Sequence, residues 1–134
     1  MQLTPGQETG ATGRPEQRSA LVVDDELGVR ESVALVLECA GFRVVRAKTG
    51  AEALATAQRQ DCQIVLLDLA LPDIPGEELL PRLRHACPGA KVIVITGRLA
   101  RADALVATEW GVDGLLCKPF RTRDLLACVE GALS

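Results

Sequence analysis

Three carboxylates, one hydroxyl and one ammonium stand directly after short apolar runs: Asp24 and Asp25 after 20–23, Asp68 after 64–67, Thr96 after 92–95, and Lys118 after 114–117. No two of these segments adjoin in sequence, so packing alone does not demand the pattern. Carboxylates gathered within several ångströms repel and would raise at least one pKa unless a cation neutralises them. Oxygen-only ligands with room for water suit Mg²⁺, which takes one or two carboxylates and completes its octahedron with water and phosphate oxygens. Lys118 supplies a second positive charge, able to hold a carboxylate or a phosphoryl oxygen, and Thr96 can donate a hydrogen bond to another oxygen. Such a set describes phosphoryl transfer onto a carboxylate. Asp68 is the expected nucleophile because it stands alone after a central strand, whereas the adjacent Asp24 and Asp25 read as metal ligands.

These residues meet only if the apolar runs are strands of one sheet. The runs at 20–23, 42–45, 64–67, 92–95 and 114–117 are continuous rather than alternating, which predicts strands buried on both faces. Helical patterns lie between them. Val29, Val33, Val36, Leu37 and Ala40 form one stripe, and Gly41 supplies the residue that ends such a helix. Thr49 and Glu52 have capping-box spacing at the head of a second helix. A third helix is expected over about 77–85, with Pro81 near its first turn, a fourth over about 99–110, and a fifth with Leu125, Leu126, Val129 and Leu133 on one side. Five strands alternating with five helices give a doubly wound α/β fold with a parallel sheet. Ligands in such folds collect beyond the carboxyl ends of the strands. The second strand, expected at an edge, offers only Ala47 and Lys48 there.

A chain of 134 residues holds one domain. Residues 1–18, with Pro and Gly among polar residues and no apolar periodicity, read as a disordered leader or linker, leaving 19–134 as the folded unit. Fifteen Lys and Arg against eighteen Asp and Glu give −3, which argues against nucleic acid or anionic lipid as partner. With Phe42, Trp110 and Phe120 as the only aromatics, no stacking platform for single strands exists. No apolar run approaches the length of a membrane span and the opening residues lack a secretory pattern, so a cytoplasmic protein is expected. The five cysteines, odd in number and without C-x-x-C spacing, read as reduced core thiols.

The segments Val22-Val23-Asp24-Asp25-Glu26, Leu66-Leu67-Asp68 with Leu71-Pro72-Asp73-Ile74-Pro75-Gly76, Ile95-Thr96-Gly97 and Cys117-Lys118-Pro119-Phe120 closely resemble the receiver domain of two-component response regulators, of the stand-alone chemotaxis-regulator type. The resemblance covers about residues 20–133. It implies a flavodoxin-like sheet ordered 2-1-3-4-5, with Asp68 accepting a phosphoryl group from a histidine kinase or phosphotransfer protein. It further implies Mg²⁺ held by Asp25, Asp68 and the backbone carbonyl of Ala70, with Asp24 acting partly through water. Thr96 and Lys118 would contact the phosphoryl group, and the Lys118–Pro119 bond would be cis, as X-Pro bonds alone readily allow. Ala70 and Arg98 would modulate phosphate lifetime. Downstream binding would use the fourth helix, fifth strand and fifth helix, with a phosphorylation-dependent homodimer as one form of output. One departure stands out: the family's aromatic switch position falls at Leu115. Beyond its own Mg²⁺-dependent phosphorylation and dephosphorylation, no enzymatic turnover is implied. Either a free-standing receiver or a fragment of a longer regulator or hybrid kinase fits.

Each residue also has a plainer reading. Asp24 or Asp25 can cap a helix, Asp68 can serve a turn before Pro72, Thr96 can satisfy backbone at a strand end, and Lys118 can be solvated. Pro72, Asp73 and Gly76 read as turn chemistry that positions the Asp68 loop, His85 as surface, Trp110 as packing and Phe120 as a core anchor. Among other functions, a flavin carrier fails because Asp24-Asp25-Glu26 would repel a bound phosphate where the first turn needs amides and hydroxyls. An aspartyl phosphatase fails because Asp-x-Asp is missing. The closest rival is a docking module that keeps the receiver fold and works without phosphorylation.

Overall fold

In the computed structural model, residues 17–97, 109 and 111–134 are described. Five strands, β1 (Ser19–Val23), β2 (Arg43–Ala47), β3 (Ile64–Asp68), β4 (Lys91–Thr96) and β5 (Gly114–Cys117), alternate with helices α1 (Leu27–Cys39), α2 (Gly50–Arg59) and α3 (Gly76–Ala86), and α4 (Thr122–Leu133) follows β5. The helix expected over 99–110 lies, but for Glu109, outside the described residues, as do Arg98, Trp110 and residues 1–16 of the expected leader.

The sheet is parallel, in the order β2-β1-β3-β4-β5, the doubly wound arrangement expected. Successive side chains of a strand point to opposite faces, so each central strand feeds two cores. Leu21, Val23, Val65, Leu67, Val92 and Val94 pack with Ala53, Leu79 and Leu83 of α2 and α3. Ala20, Val22, Ile64, Leu66, Ile93 and Ile95 pack on the other face with Val33 and Leu37 of α1 and Leu125 and Val129 of α4. Two-sided burial holds for β3 and nearly all of β1 and β4, but not for β2 and β5. Those two are edges, and β2 carries Arg43 and Arg46 on its exposed positions, which blunts the edge with charge.

Local signals explain where the helices begin and end. After α1, Gly41 adopts φ +97°. Gly41 N donates to Glu38 O and Phe42 N to Leu37 O, a Schellman closure that turns the chain into β2. At the head of α2 the Thr49 hydroxyl accepts from Glu52 N at 3.1 Å. The return half of the expected capping box is displaced by one residue, since Glu52 Oε1 accepts from Lys48 N. Pro81 is accommodated inside α3, whose N-cap is Pro75.

The expectation of five core thiols is corrected. All five cysteines are free, but Cys39 is exposed, Cys62, Cys117 and Cys128 are half-buried, and only Cys87 is buried. Cys39 occupies the last turn of α1, on a side that the Val33–Leu37 stripe leaves facing solvent. Among the described residues no helix is long and apolar enough to cross a membrane.

Candidate functional site

Register brings the strand ends level. Val23 pairs with Leu67, so the residues that follow, Asp24 and Asp68, emerge side by side. Thr96 pairs with Cys117, which places Lys118 one step beyond on the same rim. One carboxylate oxygen from each of Asp24, Asp25 and Asp68 lies within 4.8 Å of the others. Lys118 Nζ stands 2.9 Å from Asp24 Oδ2 and 3.0 Å from Asp68 Oδ2. The Lys118–Pro119 peptide bond is cis, and Lys118 N donates to Thr96 O at 2.7 Å. Asp25, Asp68, Ala70, Thr96 and Lys118 thus line one cleft of about 430 Å³.

The three aspartates occupy different depths. Asp24 and Asp68 are buried, at 1% and 3% exposure, while Asp25 is exposed at the mouth. Asp24 Oδ1 accepts from Glu26 N at 2.9 Å, and Asp68 Oδ1 accepts from Ala70 N at 2.9 Å. Asp24 Oδ2 is buried and, although close to Lys118 Nζ, has no well-directed hydrogen bond; the contact is an ion pair by distance only. Burial pushes the Asp24 carboxyl above its ordinary pKa; the Glu26 amide and the Lys118 ammonium pull it back, and the Asp68 charge adds to the rise. For Lys118 burial acts downward, but the three carboxylates of Glu26, Asp24 and Asp68 around it outweigh that and hold the ammonium above its ordinary pKa. Oxygen donors at two depths, one of them buried without a directed partner, fit a divalent cation of the Mg²⁺ or Ca²⁺ kind.

Two contributors escaped the sequence reading. Glu26 Oε1 accepts from Lys118 Nζ at 2.8 Å, so the ammonium donates to Glu26 and Asp68 and pairs by distance with Asp24. Glu26 directly follows the acidic pair, but its reach across 92 residues depends on register alone. Arg30 of α1 donates from Nη1 to Asp24 O at 3.0 Å and steadies the peptide of the buried aspartate. A second, larger concavity of about 670 Å³ lies between α1 and 118–125, with a largely apolar lining that includes Val29, Val36 and Phe120. His85 is exposed, and Phe120 packs half-buried against the core of α1 and α4, in keeping with their plain readings.

Comparison with known proteins matches residues 20–130 to the response regulator receiver domain family. The chain is 35% identical over 123 residues to a probable transcriptional regulatory protein, TcrX, of Mycobacterium tuberculosis, covering 92% of this chain and 52% of the relative. It spans about half the length of the curated relatives of this kind that it matches. Among solved structures, a CheY-like receiver domain protein of Methanospirillum hungatei superposes with a TM-score of 0.83 at 32% identity, over 88% of this chain and 94% of the other. A response regulator of Burkholderia pseudomallei, solved with a phosphorylated aspartic acid, calcium ion and citrate, gives 0.77 at 31% identity, over 84% and 66%.

Proposed function

The chain belongs to the response regulator receiver domain family, and on that premise we propose that Asp68 is its phosphoacceptor, charged by a histidine kinase or phosphotransfer protein in a Mg²⁺-dependent reaction. The observation that carries this reading is the meeting of Asp24, Asp25, Asp68 and Lys118 at one rim from three separate strand ends. The Burkholderia relative, whose structure holds a phosphorylated aspartic acid and a calcium ion, supports it.

Asp25, Asp68 and the carbonyl of Ala70 would hold the cation directly, with the deeper Asp24 assisting through water. When bound, the cation supplies charge neutralisation at the transferring phosphoryl group. One carboxylate oxygen of Asp68 attacks phosphorus in line; the bond from phosphorus to the donor nitrogen breaks, and the donor histidine leaves with the electron pair. Lys118, already beside Asp68 Oδ2, stabilises negative charge on the acyl phosphate, and the Thr96 hydroxyl orients a phosphoryl oxygen. Hydrolysis of the acyl phosphate resets the site, so the chemistry stays confined to Asp68 and the protein acts as a signalling module.

In this reading the receiver unit spans 19–134. Its output is protein binding through 99–110, β5 and α4, with a phosphorylation-dependent homodimer as one form. Leu115, 39% exposed on β5 where the family carries an aromatic switch, favours one alternative, a docking module that works without phosphorylation. Intact mass decides between them. Incubation with acetyl phosphate and Mg²⁺ is expected to add about 80 Da, one HPO₃ unit, and the Asp68→Asn variant or EDTA to abolish the gain. No Mg²⁺-dependent adduct with acetyl phosphate or a phosphorylated histidine donor would leave the docking reading in its place.

A further inference from the structure

The 69–75 segment between β3 and α3 carries Ala70, and its backbone must be held if Ala70 is to present a carbonyl beside Asp68. Asp68 itself fixes one end, through Oδ1 and Ala70 N at 2.9 Å. The other end is fixed from a distant part of the chain. Asp73 Oδ1 accepts from Gly50 N at 2.9 Å and Oδ2 from Ala51 N at 3.0 Å. These are the first two amides of α2, donors that have no partner within the helix. The third, Glu52 N, is taken by Thr49.

The same seam is closely packed. A Cβ on Gly50 would lie 3.0 Å from Ile74 Cδ1, and one on Gly76 would lie 2.6 Å from Leu69 Cδ2, so both glycines serve close approach of this segment to its surroundings. The β2–α2 junction touches the other acidic segment as well, since Asp24 N donates to Ala47 O at 3.1 Å. The β2–α2 stretch therefore braces Asp24 through Ala47 O at the end of β2 and the 69–75 segment through the first amides of α2.

We propose that Asp73 is a positioning residue of the phosphoacceptor site: its carboxylate straps the 69–75 segment to the N-terminus of α2 and so fixes the Ala70 carbonyl beside Asp68. The proposal rests on the reading of Asp25, Asp68 and Ala70 as the cation site. A helix cap is normally supplied by the residue at the helix's own start, as Thr49 does here. Asp73 comes from 23 residues further along and links two elements. Its two amide partners hold the carboxyl below its ordinary pKa, so the ionised form makes the bridge. Groups that orient metal ligands without touching the metal commonly alter affinity when removed.

The test compares the full chain with the Asp73→Ala, Asp73→Asn and Thr49→Ala variants. Thr49→Ala removes a cap bond from the same helix end and leaves the strap in place, so it reports the purely structural cost. Mg²⁺ titration by calorimetry is expected to show binding weakened about tenfold in Asp73→Ala, by less in Asp73→Asn, which keeps one acceptor oxygen, and unchanged in Thr49→Ala. In metal-free protein, exchange of the Ala70 amide should accelerate in Asp73→Ala and not in Thr49→Ala. Equal losses in the Asp73 and Thr49 variants, or no change at Asp73 in either measurement, overturn the proposal. Should Asp73→Ala fail to fold, Asp73→Asn carries the comparison. If the unaltered chain binds no Mg²⁺, the cation reading fails, and Ala70 exchange in metal-free protein decides the strap by itself.

Discussion

Lys118 and Asp24 share one contact and respond to it in opposite ways. The ammonium has three carboxylate partners, which outweigh its burial. Asp24 is deeper, faces the Asp68 charge, and leaves Oδ2 without a directed hydrogen bond, so its burial prevails and its pKa rises. A carboxyl whose folded pKa is raised binds its proton more tightly in the folded state, so its contribution to stability falls as pH climbs from the ordinary value of 3.8 through the raised one. Asp24→Asn removes that cost. The Asn oxygen can still accept from Glu26 N, and Lys118 keeps Asp68 and Glu26, so no buried charge is orphaned. The variant is therefore expected to be more stable than the parent at pH 7 by on the order of 1 kcal/mol, the scale of one unsatisfied buried oxygen. The gain should shrink as pH falls toward 3.8. Thermal unfolding in EDTA between pH 7 and pH 4 measures this; a variant less stable at pH 7 would mean that the Lys118–Asp24 pair stabilises on balance.

At the scale of elements, the far edge of the sheet depends on close approach of a strand to a helix. Gly114 opens β5, and a Cβ there would lie 2.7 Å from Cys128 Sγ of α4 and 3.2 Å from Ile93 Cγ1 of β4. Ile93 is fully buried and has no room to retreat. Gly114→Ala is thus expected to destabilise by about 1–3 kcal/mol, as overpacking does. Because the closest contact is a single sulfur, Cys128→Ala should recover part of the loss, and a double-mutant cycle should show coupling between the two sites. Additive losses would place the strain at Ile93 instead. That β5 begins with glycine is visible in the sequence; that the glycine serves the packing of α4 follows only from where the helix returns.

For the molecule as a whole, what could be read in advance follows physical range. The central strands announced themselves because burial on both faces requires unbroken apolar runs, as in Ile64 to Leu67. Their ends followed, since a parallel sheet delivers every strand terminus to one rim. Edge strands were less plain, because Arg43 and Arg46 are half of what an exposed edge asks for. The contacts of Glu26, Arg30 and Asp73 could not be read, because they join residues through register and loop course and leave no local pattern. Cys39 was misplaced because a cysteine in an apolar helix can face either way. Charge, by contrast, was legible as a total and became meaningful once located: against a net charge of −3, Asp24, Asp25, Glu26 and Asp68 gather around Lys118. If that surplus is what a divalent cation neutralises, Mg²⁺ should stabilise the folded chain by mass action, by about 2.7 kcal/mol at a hundredfold excess over Kd. NaCl at matched ionic strength should not reproduce the rise in Tm, because screening acts on exposed charges more than on the buried Asp24 and Asp68. Asp25→Asn, at the exposed mouth of the cleft, should remove most of the Mg²⁺ effect while leaving Tm in EDTA nearly unchanged. Equal stabilisation by the two salts would place the surplus acid under general screening and empty the acidic rim of its cation.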